Sequence, residues 1–152
     1  MNRGMINAQA AHRISSGGVL IMPKPIQQTV TLPATAKSLY AMYINAGRHA
    51  AITGGKVVIS ARAGSKFSAF GGLLHGRTLH TVPGRLIVQA WRSANFRKTD
   101  LDSTLILRFS PAGKKGRIEL THVNVPVQDH RGVTNGWKKY YWRPWRKYLA
   151  RR

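Results

Sequence analysis

The 152-residue sequence predicts a single α+β domain, in which one antiparallel sheet packs against two short helices and a long C-terminal helix. Three observations lead to this fold class. Short alternating segments separated by turn residues fill the middle of the chain, helical periodicity follows the first of them, and an aromatic stripe at helical spacing ends the sequence. A chain of this length is large enough for one ordinary core.

The first elements are a strand and two short helices. Residues 27–32 alternate in polarity and end at a proline, which predicts a strand. Residues 34–45 place their apolar side chains on one helical stripe, with Thr35 as the expected N-cap and Gly47 as the end of the helix. A second helical turn is predicted over residues 48–52.

The middle of the chain changes from a helical period to a period of two, which predicts consecutive strands joined by tight turns. Gly71-Gly72 and Pro83-Gly84 are the clearest turn signals. Successive strands at such short spacing form an antiparallel meander. The predicted strands cover residues 57–60, 65–70, 73–82, 85–92, 103–110 and 117–125.

The last segment of the chain predicts an amphipathic helix that starts near Arg131 and has a wide aromatic face. We interpret this face as core. Pro144 removes one backbone hydrogen bond and is expected to bend the helix near Tyr140. The apolar arc consists of Val133, Trp137, Tyr140, Tyr141, Pro144, Trp145, Tyr148 and Leu149.

This order of elements is that of the helix-grip fold, and several stretches resemble the activator of heat-shock protein 90 ATPase family, within the SRPBCC (START-like) superfamily. They are His49–Arg92, Asp102–Leu107 (DSTLIL), Leu120–Pro126 (LTHVNVP) and Gly136–Pro144. The resemblance covers about residues 27–150 and implies a curved antiparallel sheet wrapped around the C-terminal helix, often with a cavity between them. Relatives use that cavity for lipids, sterols or polyketides, or bind a chaperone through the sheet surface. The family brings no universal catalytic residues.

Residues 1–26 contain no acid and carry Arg3 and Arg13, so we interpret them as a flexible N-terminal extension, with organelle import as the alternative. Met22 is an alternative start. Residues 27–152 form the predicted domain. No apolar run is long enough to span a membrane, and a cytoplasmic location is the default expectation.

The charge balance is the most unusual property of the composition. Lys and Arg number 25 against four acids, which gives a formal charge of +21. Such a surface favours nucleic acid, anionic membrane or acidic protein as a neighbour, although a general basic bias is the alternative reading. Relatives of this type commonly carry acids on the C-terminal helix, where this chain has cations. The predicted polyanion or partner surface consists of Lys138, Lys139, Trp142, Arg143, Arg146 and Lys147.

Trp142 is open to two readings, because the helical wheel places it opposite Val133 and among cations. A partly exposed indole there would stack on a base or meet a partner. Alternatively, lysine stems and a neighbouring loop cover it, and we favour this second reading.

Several kinds of chemistry find little or no support. The chain has no cysteine, which rules out disulfides and thiolate sites. Among the four acids only Asp100 and Asp102 are neighbours, and the six histidines are scattered without helical ligand spacing, so we predict no catalytic residues, no metal site and no cofactor. An enzyme acting in the cavity stays the third alternative.

A cavity between sheet and helix is the leading candidate site, with plain core packing as its alternative. His122 shares a strand face with apolar residues, and is either a satisfied core histidine or a ligand-binding group. The predicted lining consists of Phe67, Phe70, Trp91, Leu105, His122, Trp137 and Tyr141.

The sequence therefore predicts a non-catalytic module that binds a small, largely apolar ligand in this cavity. The alternative is a basic interaction protein. It would bind nucleic acid, the ribosome or a chaperone of the Hsp90 kind through the exterior of the C-terminal helix.

Overall fold

The computed structural model describes residues 23–151, which form one six-stranded antiparallel sheet packed against helices. We call residues 127–150 together the C-terminal helix. The predicted α+β fold class is confirmed. The elements are β1 (Ile26–Leu32), α1 (Ala36–Ile44), α2 (Ala46–Thr53), β2 (Lys66–Ala69), a 3-10 turn (Phe70–Gly72), β3 (Leu74–Val82), β4 (Leu86–Ser93), β5 (Ser103–Ala112), β6 (Lys115–Val123), α3 (Val127–Gly136), the π-helical segment (Trp137–Trp142) and α4 (Arg143–Ala150).

The sheet is a meander from β2 to β6, with β1 added beside β6 to give the order β1-β6-β5-β4-β3-β2. Alternate side chains of each central strand point into the core, as the period of two predicts. Gly76 on β3 permits a very close approach to β4, because a Cβ there would lie 1.8 Å from the carbonyl oxygen of Ala90. Only glycine fits at this position.

The two short helices follow β1 and are capped by side chains. The predicted N-cap is confirmed, since the Thr35 hydroxyl accepts a hydrogen bond from the Ser38 N–H at 3.1 Å. Asn45 caps the second helix through the Arg48 N–H at 2.9 Å, so α2 begins at Ala46, earlier than predicted. The sequence reading took Gly47 as a terminator and missed the asparagine cap.

The predicted strand over residues 57–60 is wrong. Val58 makes one isolated bridge with Ser68, through two backbone hydrogen bonds of 2.9 and 2.8 Å. Val57 is buried and Ile59 packs partly buried against the core, while Val58 is exposed. The chain next turns at Gly64, whose φ is 84° and whose N–H donates to the Thr78 carbonyl on β3 at 2.7 Å.

The C-terminal helix begins at Val127 rather than near Arg131. Pro126 occupies the N-cap position, and Asp129 in the first turn complements the positive end of the helix dipole. The irregularity expected at Tyr140 takes the form of the π-helical segment, which lies directly before α4. Pro144 near the start of α4 has no N–H to donate to the preceding turn, which favours such a wide turn.

The predicted N-terminal extension falls largely on residues 1–22, outside the described residues. The first described residues are attached to the domain, because the Lys24 carbonyl accepts a hydrogen bond from His130 Nε2 at 2.8 Å. Ile26 already belongs to β1 and is buried. Across residues 23–151, no helix has the length and apolar character needed to cross a membrane.

Candidate functional site

A cleft of about 450 Å³ lies between the C-terminal helix and the end of the sheet where β3 begins and β4 ends. Its walls are mostly aromatic and aliphatic, with a small polar group at one end, as in typical small-molecule sites. The lining residues are Phe70, Leu73, Leu74, Trp91, Ser93, Ala94, Asn95, Asp129, Gly132, Val133, Gly136, Trp137, Tyr140 and Tyr141.

A left-handed turn between β2 and β3 forms one wall of the cleft. Gly71 and Gly72 have φ values of 67° and 101°, and Phe70 itself has φ of 52°, which costs a non-glycine residue about 1–3 kcal/mol. This conformation brings the Phe70 ring to 5.8 Å from the Tyr140 ring and 5.9 Å from the Tyr141 ring. Aromatic packing thus holds the strained turn against the helix.

The polar end of the cleft is built around Asp129, the only acid of the C-terminal helix. The Ser93 hydroxyl donates to Asp129 Oδ2 at 2.5 Å, and Asn95 Nδ2 donates to Oδ1 at 3.2 Å. Asp129 is buried. Its carboxylate retains acceptor capacity beyond these two bonds.

Two glycines on the helix give the cleft its width. A Cβ on Gly136 would meet only Tyr140 Cδ2, at 3.6 Å, and a Cβ on Gly132 would meet Asp129 Oδ1 at 3.2 Å. Both lie one turn apart on the face that lines the cleft. Larger side chains at these positions would occupy the space that the glycines leave open.

Four of the seven residues predicted to line a cavity lie on this cleft, namely Phe70, Trp91, Trp137 and Tyr141. The other three, Phe67, Leu105 and His122, do not line it. They lie in the packed core and are at most 1% exposed. The sequence analysis missed the polar residues and glycines of the lining, namely Ser93, Asn95, Asp129, Gly132 and Gly136. The only signal for them in the sequence is that Asp129 is a lone acid among cations.

His122 is part of a completely paired core network. Trp137 Nε1–H donates to His122 Nδ1 at 3.2 Å, so the ring carries its proton on Nε2, which lies 2.8 Å from Ser103 Oγ. Ser103 in turn donates to the Trp91 carbonyl at 2.6 Å. Burial, with a smaller contribution from the charge of His130, lowers the pKa of His122 to about 3.

These bonds decide between the two readings of His122 in favour of a core histidine. Its Nε2 donates to Ser103, so it does not act as a base toward that hydroxyl. Neither side chain is exposed to solvent.

A second buried network, which sequence reasoning missed, lies behind the cleft wall. His49 Nδ1–H donates to the Tyr43 carbonyl at 2.8 Å, and the Tyr141 hydroxyl donates to His49 Nε2 at 2.8 Å. The Tyr43 hydroxyl donates to Gln89 Oε1 at 2.9 Å. Burial lowers the pKa of His49 to about 4 and raises the pKa of the Tyr141 hydroxyl, so both groups are neutral near pH 7.

Two further observations concern possible metal ligands and an unpaired polar atom at the cleft. Across residues 23–151, no three His, Cys, Asp or Glu side chains group closely enough to hold a metal ion. Trp91 lines the cleft and has a buried indole N–H without a hydrogen-bond partner among these residues. An unpaired buried donor costs about 1–3 kcal/mol, so an acceptor that reached it would be stabilised.

The five cations predicted for the basic surface are all exposed. Within the described part of the chain the single ion pair joins Arg92 to Asp102, so none of the five is neutralised by an acid. A groove of about 520 Å³ runs between this face of the helix and β1. It is lined by Gln28, Thr29, Val30, Lys138, Trp142, Arg143, Arg146, Lys147 and Ala150.

Trp142 lines this groove but is buried, so its inclusion in the predicted basic surface as an exposed stacking group is corrected. It is 8% exposed, stacks between Trp137 and Trp145, and donates its indole N–H to Gln28 Oε1 at 2.7 Å. The physical reason is the π-helical segment, whose wider turn changes the angular step that a regular helical wheel assumes. Trp142 is therefore covered, as the favoured reading expected, but the contacts that cover it are with Gln28 of β1 and with two tryptophans instead of lysine stems and a loop.

The chain is similar in sequence to two proteins from other organisms. The activator of 90 kDa heat shock protein ATPase homolog from Dictyostelium discoideum is 28% identical over 121 residues, which cover 76% of this chain and 31% of that protein. An uncharacterized protein from Schizosaccharomyces pombe is 27% identical over 119 residues, covering 78% of this chain and 35% of its own length. The chain thus spans about a third of the length of these relatives.

The fold is similar to a crystal structure of an Hsp90 activator from Plasmodium falciparum, with a TM-score of 0.75 and 21% identity. That match covers 83% of this chain and 96% of the other. At this identity the likeness shows the fold alone, and it confirms the helix-grip prediction. The model of the family described as activator of Hsp90 ATPase homolog 1-like protein matches residues 33–150. Since this match covers most of the sequence, the chain belongs to that family.

Proposed function

We propose that the chain is a non-catalytic binding module that holds a small, largely apolar ligand in the cleft between the sheet and the C-terminal helix. The observation that carries this proposal is the combination of an open aromatic cleft of about 450 Å³ with one polar end. The volume lies within the range of about 300–1,000 Å³ typical of small-molecule sites.

The residues that line the cleft also indicate which apolar and polar groups the ligand would carry. An apolar body packs against Phe70, Trp137 and Tyr141, and a hydrogen-bond donor reaches the Asp129 carboxylate. We therefore expect an amphiphilic molecule rather than a pure hydrocarbon.

The test is native mass spectrometry of the gently purified chain, followed by titration with an uncharged solvatochromic dye such as Nile red. We expect a releasable adduct of small-molecule mass, or saturable binding of the dye. Gly136→Leu should abolish either signal, because the helical backbone at Gly136 accepts a side chain that would then occupy the cleft.

The matched control is Gly47→Leu, the same chemical change at an exposed position on α2. It should leave dye binding intact. Equal binding by the wild type and the Gly136→Leu variant, with both chains folded by circular dichroism, would show that the dye lies elsewhere and would contradict the proposal.

A second candidate function is binding to a partner protein, such as a chaperone of the Hsp90 class, through the exterior of the C-terminal helix. It is supported by the five exposed, unneutralised cations and by the family to which the chain belongs. Nucleic acid or the ribosome is the weaker polyanion alternative, because the predicted surface has lost its one aromatic stacking group with the burial of Trp142.

A further inference from the structure

Within residues 23–151, the outer edge of β1 has no strand paired to it and borders the basic groove. β1 is the terminal strand of the sheet, and its inner neighbour is β6. In an antiparallel pair, the backbone groups of alternate residues point to opposite sides of the strand. The register of the ladder therefore decides which residues of β1 present their N–H and C=O groups outward.

The β5–β6 hairpin fixes that register. Its two-residue turn is closed by the pair Ala112 and Lys115, and the next pair contains Pro111, which has no N–H to donate. Pro111 and Gly116 therefore form a pair without mutual hydrogen bonds, so Gly116 turns its backbone toward β1. Gly116 pairs with Leu32 in the β1 ladder.

It follows that Leu32, Val30 and Gln28 bond to β6, whereas Thr31, Thr29 and Gln27 face outward. An independent contact agrees with this assignment, since the guanidinium of Arg146 donates to the Thr31 carbonyl at 3.2 Å from the groove side. Within residues 23–151, the backbone groups of Gln27, Thr29 and Thr31 form no backbone–backbone hydrogen bond outside the β1–β6 ladder. The edge thus offers backbone donors and acceptors to an incoming strand, although the Thr31 carbonyl would share its acceptor capacity with Arg146.

The charges around this edge select the occupant. Lys138, Arg143, Arg146 and Lys147 line the groove together with β1. They oppose pairing with a second copy of this chain, whose formal charge is also +21. Residues 1–22 contain no acid, so the chain's own N-terminal segment does not complement the groove in charge.

We propose that this edge binds an extended, acidic peptide segment of a partner protein as an additional strand beside β1. Backbone pairing with Thr29 and Thr31 supplies the register, and glutamate or aspartate side chains meet the cations of the groove. A nucleic acid is disfavoured, because its backbone does not match the alternating N–H and C=O groups of a strand edge, and because Trp142, the aromatic residue of the groove lining, is buried.

This inference concerns a site separate from the cleft. It rests on the proposed partner binding only because both use the cations on the exterior of the C-terminal helix. The two proposals fail separately. Gly136→Leu alters the cleft and should leave peptide binding unchanged, whereas the charge reversals below should leave binding of the uncharged dye unchanged.

The probe is a fluorescein-labelled peptide of about twelve residues in which glutamate alternates with threonine or valine, titrated into the full-length chain by fluorescence anisotropy. The edge variant combines Lys138→Glu, Arg143→Glu and Lys147→Glu, and keeps Arg146 because it contacts β1. We expect the affinity to fall at least about tenfold, since three charge pairs become repulsive. The control combines Lys56→Glu, Lys98→Glu and Lys114→Glu, exposed positions outside the groove lining, and should change affinity less than about twofold.

Two readouts separate strand addition from simple charge attraction. Amide hydrogen exchange at Thr29 and Thr31 should slow when the peptide binds, and a peptide N-methylated at alternate residues along its docking edge should lose its affinity. Equal loss of affinity in both triple variants, or unchanged exchange at these amides, would overturn the proposal. Tighter binding of a polythymidine oligonucleotide that depends on the same three cations would overturn it in favour of nucleic acid.

Discussion

At the scale of single residues, the two buried histidines show how the core accommodates polar groups. Both rings of His49 and His122 are paired on each nitrogen, so neither leaves an unsatisfied atom. Burial disfavours the charged form of each ring, which lowers the folded pKa to about 4 for His49 and about 3 for His122. Protonation of either ring would also break one of these hydrogen bonds.

We predict that the free energy of unfolding falls as the pH falls from about 6.5 toward about 4. In this pH window His49 and His122 bind protons in the unfolded chain, where their pKa is 6.5, but stay neutral in the folded chain. Lowering the pH therefore stabilises the unfolded state relative to the folded state. Each histidine contributes a slope of up to about 1.4 kcal/mol per pH unit. Urea denaturation at several pH values measures this slope.

His122→Gln should reduce that slope even if it lowers stability at pH 7. His75→Gln, at an exposed position on β3, serves as the matched control and should leave the slope unchanged. A slope that is identical in the wild type and both variants would mean that these histidines do not govern the acid response.

At the scale of elements, Trp142 connects the C-terminal helix to β1, the edge strand of the sheet. Its indole donates to Gln28 Oε1, while Gln28 Nε2 donates to the Thr134 carbonyl of the same helix at 2.9 Å. One glutamine on β1 therefore bridges two turns of the helix. The π-helical segment is what turns the indole toward β1.

We predict that Trp142→Phe lowers the free energy of unfolding by about 1–3 kcal/mol, because it leaves the Gln28 amide oxygen without its partner. Combining it with Gln28→Leu should cost less than the sum of the two single changes, since the two side chains act as one pair. Urea titration of the four proteins gives this double-mutant cycle. Tyr140→Phe, at a half-exposed position of the same segment, is the control; strict additivity in the cycle would contradict the pairing.

At the scale of the whole molecule, the formal charge of +21 opposes folding by self-repulsion. The single ion pair within residues 23–151, between Arg92 and Asp102, offsets little of it. The stability of the fold thus depends mainly on the apolar and aromatic core.

We predict that the melting temperature rises when sodium chloride is raised from about 20 mM to about 500 mM, because salt screens the repulsion between exposed cations. Differential scanning calorimetry measures the shift. The triple variant Lys56→Glu, Lys98→Glu and Lys114→Glu carries a smaller net charge and should gain less from salt. An equal gain in both proteins would show that repulsion across the molecule is not the cause.

Local sequence patterns, such as alternation of polarity and capping residues, predict much of the fold. Alternation located the five main segments of the meander, and Thr35 marked the start of α1. The segment around Val58 shows the limit of this reasoning, because apolar residues of high strand propensity form a ladder only where a partner strand runs beside them.

The sequence by itself determined the element order apart from the extra strand at residues 57–60, the aromatic face of the last helix and the excess of cations around it. The tertiary structure decided that Trp142 turns inward, that Phe67, Leu105 and His122 lie in solid core, and that Asp129 meets Ser93 at the end of a cleft. The physical reason is distance along the chain. Periodicity reports which residues share a face, whereas burial of Trp142 depends on Gln28, which lies 114 residues away.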